Sequence, residues 1–346
     1  MRTQSKKILS SAIVASALLS AKTVAEDRLF RFEFANDAMT FSDNMYTNGI
    51  SLQWHSQAFE NWQQAQEQNW FAGLGGAIAQ YGWALESWAP SAHHRHAVSL
   101  SQYIQTPEDL DARDLIIDDV PYAGALIISN SWYSYDQSDF SGWQLDVGLV
   151  GPNSFAEHVQ KGVHNLIGSD TPRGWEHQLK SEPIVNMTYQ RKHKFWRSPA
   201  SHEFESDVAW NVTAALGNFY TGAGAGLEWR WGRPNQTGFQ DGQNLVGRSV
   251  FKETEGNIAK GSWHISGQLQ LNYVAQDIFL DGNTWKDSHS VDKEPVYASM
   301  GLGAHYHWQN WAVHMRYWMT SNIVRSDLAH TDNNMNYGSL LFEYRY

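Results

Sequence analysis

Leu340-Leu341-Phe342-Glu343-Tyr344-Arg345-Tyr346 is the stretch that decides the fold. In an extended chain Leu340, Phe342, Tyr344 and Tyr346 fall on one face, and Leu341, Glu343 and Arg345 on the other. An aromatic strand of this kind at the end of a chain reads as an outer-membrane assembly signal. Residues 29 to 36 repeat the pattern, with Phe30, Phe32 and Phe34 opposite Arg31 and Glu33. A barrel with lipid outside and a polar interior produces that division.

The same test predicts strands near 29–36, 47–56, 96–104, 122–133, 142–150, 183–192, 206–216 and 220–231. Four more follow near 262–280, 294–308, 311–321 and 336–346. Twelve is an even number, as closure of a bacterial outer-membrane barrel normally requires. The expected fold is therefore all-β, a closed antiparallel transmembrane barrel of about 12 strands. No Pro/Ser-rich linker or internal repeat divides it, so residues 26–346 form one domain.

Residues 1–25 read as a secretory signal. Arg2, Lys6 and Lys7 precede an apolar stretch from Ile8 to Ala21, and Thr23-Val24-Ala25 offers small residues for cleavage. Without this segment, which carries four basic and no acidic residues, 21 Lys and Arg face 36 Asp and Glu, a formal charge of −15. That charge excludes nucleic acid as a natural partner. Zero cysteines exclude a disulfide framework and any thiolate site. A mean hydropathy of −0.50 beside 17 Trp suits a barrel, whose alternating strands hide their hydrophobicity from window averages.

With both termini toward the periplasm, connections 37–46, 105–121, 151–182, one near 218, 281–293 and 322–335 face outward. Most are long, as external loops should be. Connections 57–95 and 232–261 on the other side are also long, which this topology does not explain.

The 151–182 connection carries the best helical pattern. Ser154 and Glu157 make an S-x-x-E capping box after Gly151-Pro152, and Gly168 supplies a stop. Phe155, Val159, Val163 and Leu166 share one face, with Glu157, Gln160 and His164 on the neighbouring one. Resting the apolar face on the barrel wall would aim His164 at the junction of wall and helix.

A second polar cluster lies on the same rim: Asn36-Asp37, where the first strand ends, and Tyr46-Thr47-Asn48-Gly49, where the second begins. Such oxygen donors suit a hard cation such as calcium. Taken singly, Asn-Asp and Asn-Gly are ordinary turn residues, and a lone helical histidine is ordinarily a solvated surface group. Together, a cation that polarises a carbonyl and a histidine that activates water make an ester hydrolase. His93, His94 and His96 lack an H-E-x-x-H pattern, and no G-x-S-x-G elbow marks a nucleophilic serine. Gly222, Gly224 and Gly226 alternate within a strand and relieve crowding inside the barrel.

Five motifs in order then resemble one family. Ala35-Asn36-Asp37, Tyr46-Thr47-Asn48-Gly49, Pro121-Tyr122-Ala123-Gly124, Gly151-Pro152 through Gln160 to His164, and Gly174-Trp175 with Gln178-Leu179 are similar to the LpxR family of lipid A 3′-O-deacylases. The resemblance runs by motif over residues 29–190 and more loosely to Tyr346. It implies a twelve-stranded barrel of the outer membrane, acting on lipid A or lipopolysaccharide among the membrane lipids as a monomer, with its site toward the extracellular leaflet between wall and helix. Asn36, Asp37 and Thr47 would organise Ca2+, His164 would take a proton from water, and Gln160 would hold the imidazole or the water. Two departures stand out. Val120 replaces an arginine that many relatives carry, leaving Arg113, Lys161, Arg173 and Lys180 as possible phosphate contacts, and Ala156 replaces a usual glycine. The competing expectations are a non-catalytic barrel, pore or structural, and a serine-dependent outer-membrane phospholipase.

Overall fold

The computed structural model describes residues 28–40, 46–81, 93–168, 171–199, 204–233, 238–239, 243–244, 248–249, 261–325 and 333–346. The expected signal segment 1–25 lies outside them. Twelve strands close an antiparallel barrel: β1 (Leu29–Asn36), β2 (Tyr46–His55), β3 (His93–Gln105), β4 (Ala123–Tyr135), β5 (Asp139–Val150), β6 (Glu182–Arg197), β7 (Glu205–Gly217), β8 (Tyr220–Gly232), β9 (Ser262–Asp277), β10 (Val296–Trp308), β11 (Trp311–Thr320) and β12 (Asn336–Arg345). β1 pairs with β2 on one side and β12 on the other, so the sheet has no edge. The expected strands are all present with shifted ends. β6 continues to Arg197, and β9 stops at Asp277, whose side chain accepts from the Phe279 amide at 3.0 Å and turns the chain into a helical turn at Ile278–Asp281.

We call the rim where β1 begins and β12 ends the terminal rim, and the other the distal rim. Alternation sends Leu100, Ile128, Val147, Leu216, Leu269 and Met315 outward, where they remain exposed. The opposite face fills the bore with buried polar groups in ion pairs: Arg31 with Glu343 at 2.6 Å, Arg316 with Glu33 at 2.7 Å and Lys192 with Glu228 at 2.8 Å. Pairing offsets the desolvation cost that an isolated buried charge would carry. Gly222 and Gly226 face this interior, where an added Cβ would lie 2.4 Å from the Tyr273 carbonyl oxygen and 2.3 Å from that of Leu269. The sequence-based expectation for these glycines holds.

The described residues of both long terminal-rim connections pack against the wall. After β2, α1 (Trp62–Gln68) and α2 (Trp70–Tyr81) form a pair that the sequence does not predict. The Asn61 side chain caps α1 by accepting from the Gln64 amide at 3.0 Å. The pair packs on the outside of the wall, where Trp62 stacks near His94 and the Trp132 indole donates to the Phe71 carbonyl at 2.9 Å. In the second connection, Gly238 and Phe239 lie on the inner side of the wall instead. Phe239 is buried against Tyr133, Tyr135, Phe140 and Ala97, while Lys194 and Arg230 donate to the Gly238 carbonyl. An aromatic plug and buried ion pairs fill the bore, which weighs against a pore.

Candidate functional site on the distal rim

Gly151 begins the segment that carries the expected helix. Its φ of +84° and a carbonyl 2.5 Å from where a Cβ would stand admit only glycine. Pro152–Ser154 forms a 3-10 turn, and α3 follows over Ala156–Ile167. The capping box expected at Ser154 and Glu157 does not form. Phe155, at φ 59° in the left-handed region, separates the two turns, and the Ser154 hydroxyl donates back to the Gly151 carbonyl at 2.7 Å. Glu157 pairs with Lys161 at 2.7 Å instead, so Lys161 is engaged within the helix. The expected stop holds: Gly168 is left-handed, and its amide donates to the His164 carbonyl.

The face that α3 turns to the wall also differs from expectation. Phe155 and Leu166 point away, 59% and 86% exposed, while Ala156 and Gln160 are buried. A helix lying outside a membrane barrel can present apolar side chains to lipid, so its apolar stripe need not be its packed one. The approach is close because β4 offers Gly124 there, where a Cβ would stand 2.1 Å from that of Ala156. Ile104, Tyr122, Ala156 and Trp175 close the base of the seam. Burial pushes the Tyr122 phenol up to about 12, so it stays neutral.

Gln160 is held from the loop side. The Trp175 indole donates to its Oε1 at 2.9 Å, and its Nε2 is buried with no protein acceptor. Gly174 permits this contact, since a Cβ there would meet the Tyr122 ring at 2.5 Å. The Leu179 amide donates to the Tyr122 carbonyl and ties the motif down. Sequence reasoning quoted Trp175 without assigning it this positioning role. His164, one turn beyond Gln160, is half-buried.

The other cluster sits on the same rim and the same outer face. Asn36 follows Phe30, Phe32 and Phe34 on the outward side of β1, and Asp37 beyond it is buried in a 3-10 turn, Asp37–Thr40. Thr47 falls at a register shift between Tyr46 and Asn48 against β3, a bulge that re-aims the strand end. Asn48 is opposite Ile104, which is opposite Gly124. One step past the Ala35–Gly49 pair brings Asn36 beside Asn48. One row of the wall thus runs from Asn36 through Asn48 and Ile104 to Gly124 under α3. Asn48 Oδ1 is buried without a hydrogen-bond partner.

Among the described residues no group of three or more His, Cys, Asp or Glu side chains converges as a metal-ligating set. The histidines near the start of β3 are structural: His94 Nδ1 meets Ser134 Oγ at 2.6 Å, and His96 lies beside Trp132. Val120 is buried in an apolar cluster with Tyr220, Leu280 and Val291. Of the four possible phosphate contacts, Arg173 reaches Asp111 at 3.5 Å, and Lys180 is exposed with its amide bound to Asn283.

A closed barrel with a filled bore, an apolar outer belt and a polar cluster on the outside of the wall defines an integral outer-membrane β-barrel. The family described as Outer membrane protein LpxR matches residues 8–346, and the chain belongs to it. No curated protein sequence matches the chain. Among solved structures, LpxR from Salmonella typhimurium is 14% identical with a TM-score of 0.73, over 92% of this chain and 100% of that one. At that identity the likeness concerns the fold. The β domain of the Bordetella autotransporter BrkA is 7% identical with a TM-score of 0.41, over 92% of this chain and 98% of that one.

Proposed function

We propose that the chain is a calcium-dependent hydrolase that removes an ester-linked acyl or acyloxyacyl chain, at the 3′-O position, from lipid A in the outer membrane. The observation that carries this reading is the single wall row joining Asn36 and Asn48 to the base of the helix that bears Gln160 and His164. The lengths agree: eight helical residues from Ala156 to His164 advance about 12 Å, and three strand spacings from β4 to β1 cover about 14 Å.

A hard cation fits the donor set. Asp37 brings one carboxylate, Asn36 and Thr47 add neutral oxygens, and the unsatisfied Asn48 Oδ1 supplies a further one. When bound, calcium supplies Lewis-acid stabilisation of the oxyanion formed as the ester carbonyl is attacked. His164 takes the proton from the attacking water and returns it to the departing sugar oxygen. Gln160, pinned by Trp175, directs its remaining amide donor at the water or the imidazole. Phe155 and Leu166, exposed on α3, accompany the acyl chains of a substrate that stays in the bilayer.

The site would face the extracellular leaflet, where lipopolysaccharide resides, with residues 1–25 acting as the export signal of a monomeric barrel. Fatty acid release from purified lipopolysaccharide by detergent-solubilised protein tests the scheme. Release should require calcium and leave no fluorophosphonate-labelled serine. Calcium-independent release with a labelled serine would replace it with the serine route.

A further inference from the structure

The α1–α2 pair lies at the end of the barrel opposite to α3. Phe59 bridges to His94 on β3, and the pair covers the outward faces of His94, His96 and Trp132. Trp132 is three residues from the end of β4, about 10 Å along the strand from the terminal rim. The pair is therefore on the lipid side of the wall, not in the bore.

Its two helices differ in chemistry. α1 is Trp-Gln-Gln-Ala-Gln-Glu-Gln, with Trp62 and Ala65 buried and the glutamines and Glu67 exposed. α2 is Trp-Phe-Ala-Gly-Leu-Gly-Gly-Ala-Ile-Ala-Gln-Tyr and contains no charged residue. Gly73 and Gly75 let α2 close on α1, since Cβ atoms there would come within 2.6 Å of Gln66 and 2.3 Å of the Trp62 ring. With that face spent on α1, the outer face of α2 shows Trp70, Leu74 and Ala77 at steps of four and three residues. Trp70 is 68% exposed and Leu74 37%.

An uncharged apolar stripe opening with tryptophan is poorly suited to water, and it continues the belt of Leu100, Ile128 and Val147 on the strands beside it. Tryptophan concentrates at the headgroup boundary, where its ring is apolar and its N–H stays wet. Helices with one polar and one apolar side lie in that layer. We propose that α2 is a membrane-interface helix, with the Trp70, Leu74 and Ala77 stripe sunk among the lipids around the terminal rim and α1 roofing it on the water side. The barrel would then contact lipid through elements outside its wall at both ends, α3 on the distal rim and α2 on the terminal rim.

The absence of cysteine makes the test specific, because each introduced thiol is unique. Leu74→Cys and Gln64→Cys, each carrying a nitroxide in the full chain reconstituted into lipid vesicles, are compared by relaxation with oxygen and with a water-soluble nickel chelate. The label at 74 should respond to oxygen and be shielded from nickel, at about 5–10 Å below the headgroups. The label at 64 should respond to nickel. Equal nickel access at both positions would overturn the proposal, as would spin–spin broadening at 74, which would make a second copy of the chain the occupant. Ala77→Cys reads the same stripe if Leu74→Cys fails to fold.

Discussion

The Trp175 indole donates a hydrogen bond to Gln160 Oε1 at 2.9 Å, fastening a buried helical side chain to a turn that begins beyond the end of its helix at Ile167. Trp175→Phe keeps the ring and removes only the donor. Freeing one buried partner of a hydrogen bond costs about 1–3 kcal/mol, so a fall in kcat of about tenfold is expected, with KM little changed. Unchanged kcat in a folded Trp175→Phe variant would show that Gln160 needs no such fixing.

His164→Ala removes the proposed base. Loss of a general base lowers rates by about 10²–10⁴-fold, while calcium binding by the other cluster should persist. Isothermal titration with calcium beside activity separates the two roles. Loss of calcium binding would reassign His164 to the cation site.

Asn48→Ala deletes the buried, unpartnered oxygen without touching the helix. The calcium concentration for half-maximal activity should rise on the order of tenfold, with the rate at saturating calcium nearly kept. An unaltered calcium profile would exclude Asn48 as a ligand.

Gly124→Val puts side-chain atoms where α3 now sits, since even the Cβ would stand 2.1 Å from that of Ala156. The strand ladder does not depend on that contact, so the barrel should still resist unfolding in detergent while activity falls about 100-fold through misplacement of α3. Retained activity would mean that the helix works at a distance from the wall.

Burial pushes the Asp119 carboxyl up to about 6 from its usual 3.8, against the opposing pull of amide hydrogen bonds from Glu108 and Val120. The folded loop therefore binds the proton more tightly than the unfolded chain. Its stability falls as pH rises from about 4 to about 6 and levels off above. Hydrogen exchange at the Glu108 and Val120 amides, corrected for intrinsic rates, should show greater protection at pH 4.5 than at pH 7. A flat profile would contradict it.

The barrel was legible because period-two alternation survives in every strand, from Phe30, Phe32 and Phe34 to Phe342 and Tyr344. The α1–α2 pair was not. Its second helix carries three glycines, which local propensity counts against a helix, and only packing against Trp62 and the wall stabilises it. Ser154 and Glu157 matched a capping pattern, but the left-handed Phe155 between the two turns is a backbone fact that no residue pattern encodes. Phe239 gave no signal, because an aromatic isolated among polar residues has no periodicity. Asn48 stood inside a quoted motif, yet its unsatisfied oxygen appears only once Ile104 and its neighbours bury it.

The most direct measurement is the mass of lipid A after lipopolysaccharide is incubated with the folded protein, with calcium or with a chelator. The account predicts loss of one acyl or acyloxyacyl unit with calcium, and an unchanged mass with chelator or with His164→Ala. An unchanged mass with calcium and wild-type protein, or the same loss from the His164→Ala protein, would contradict it.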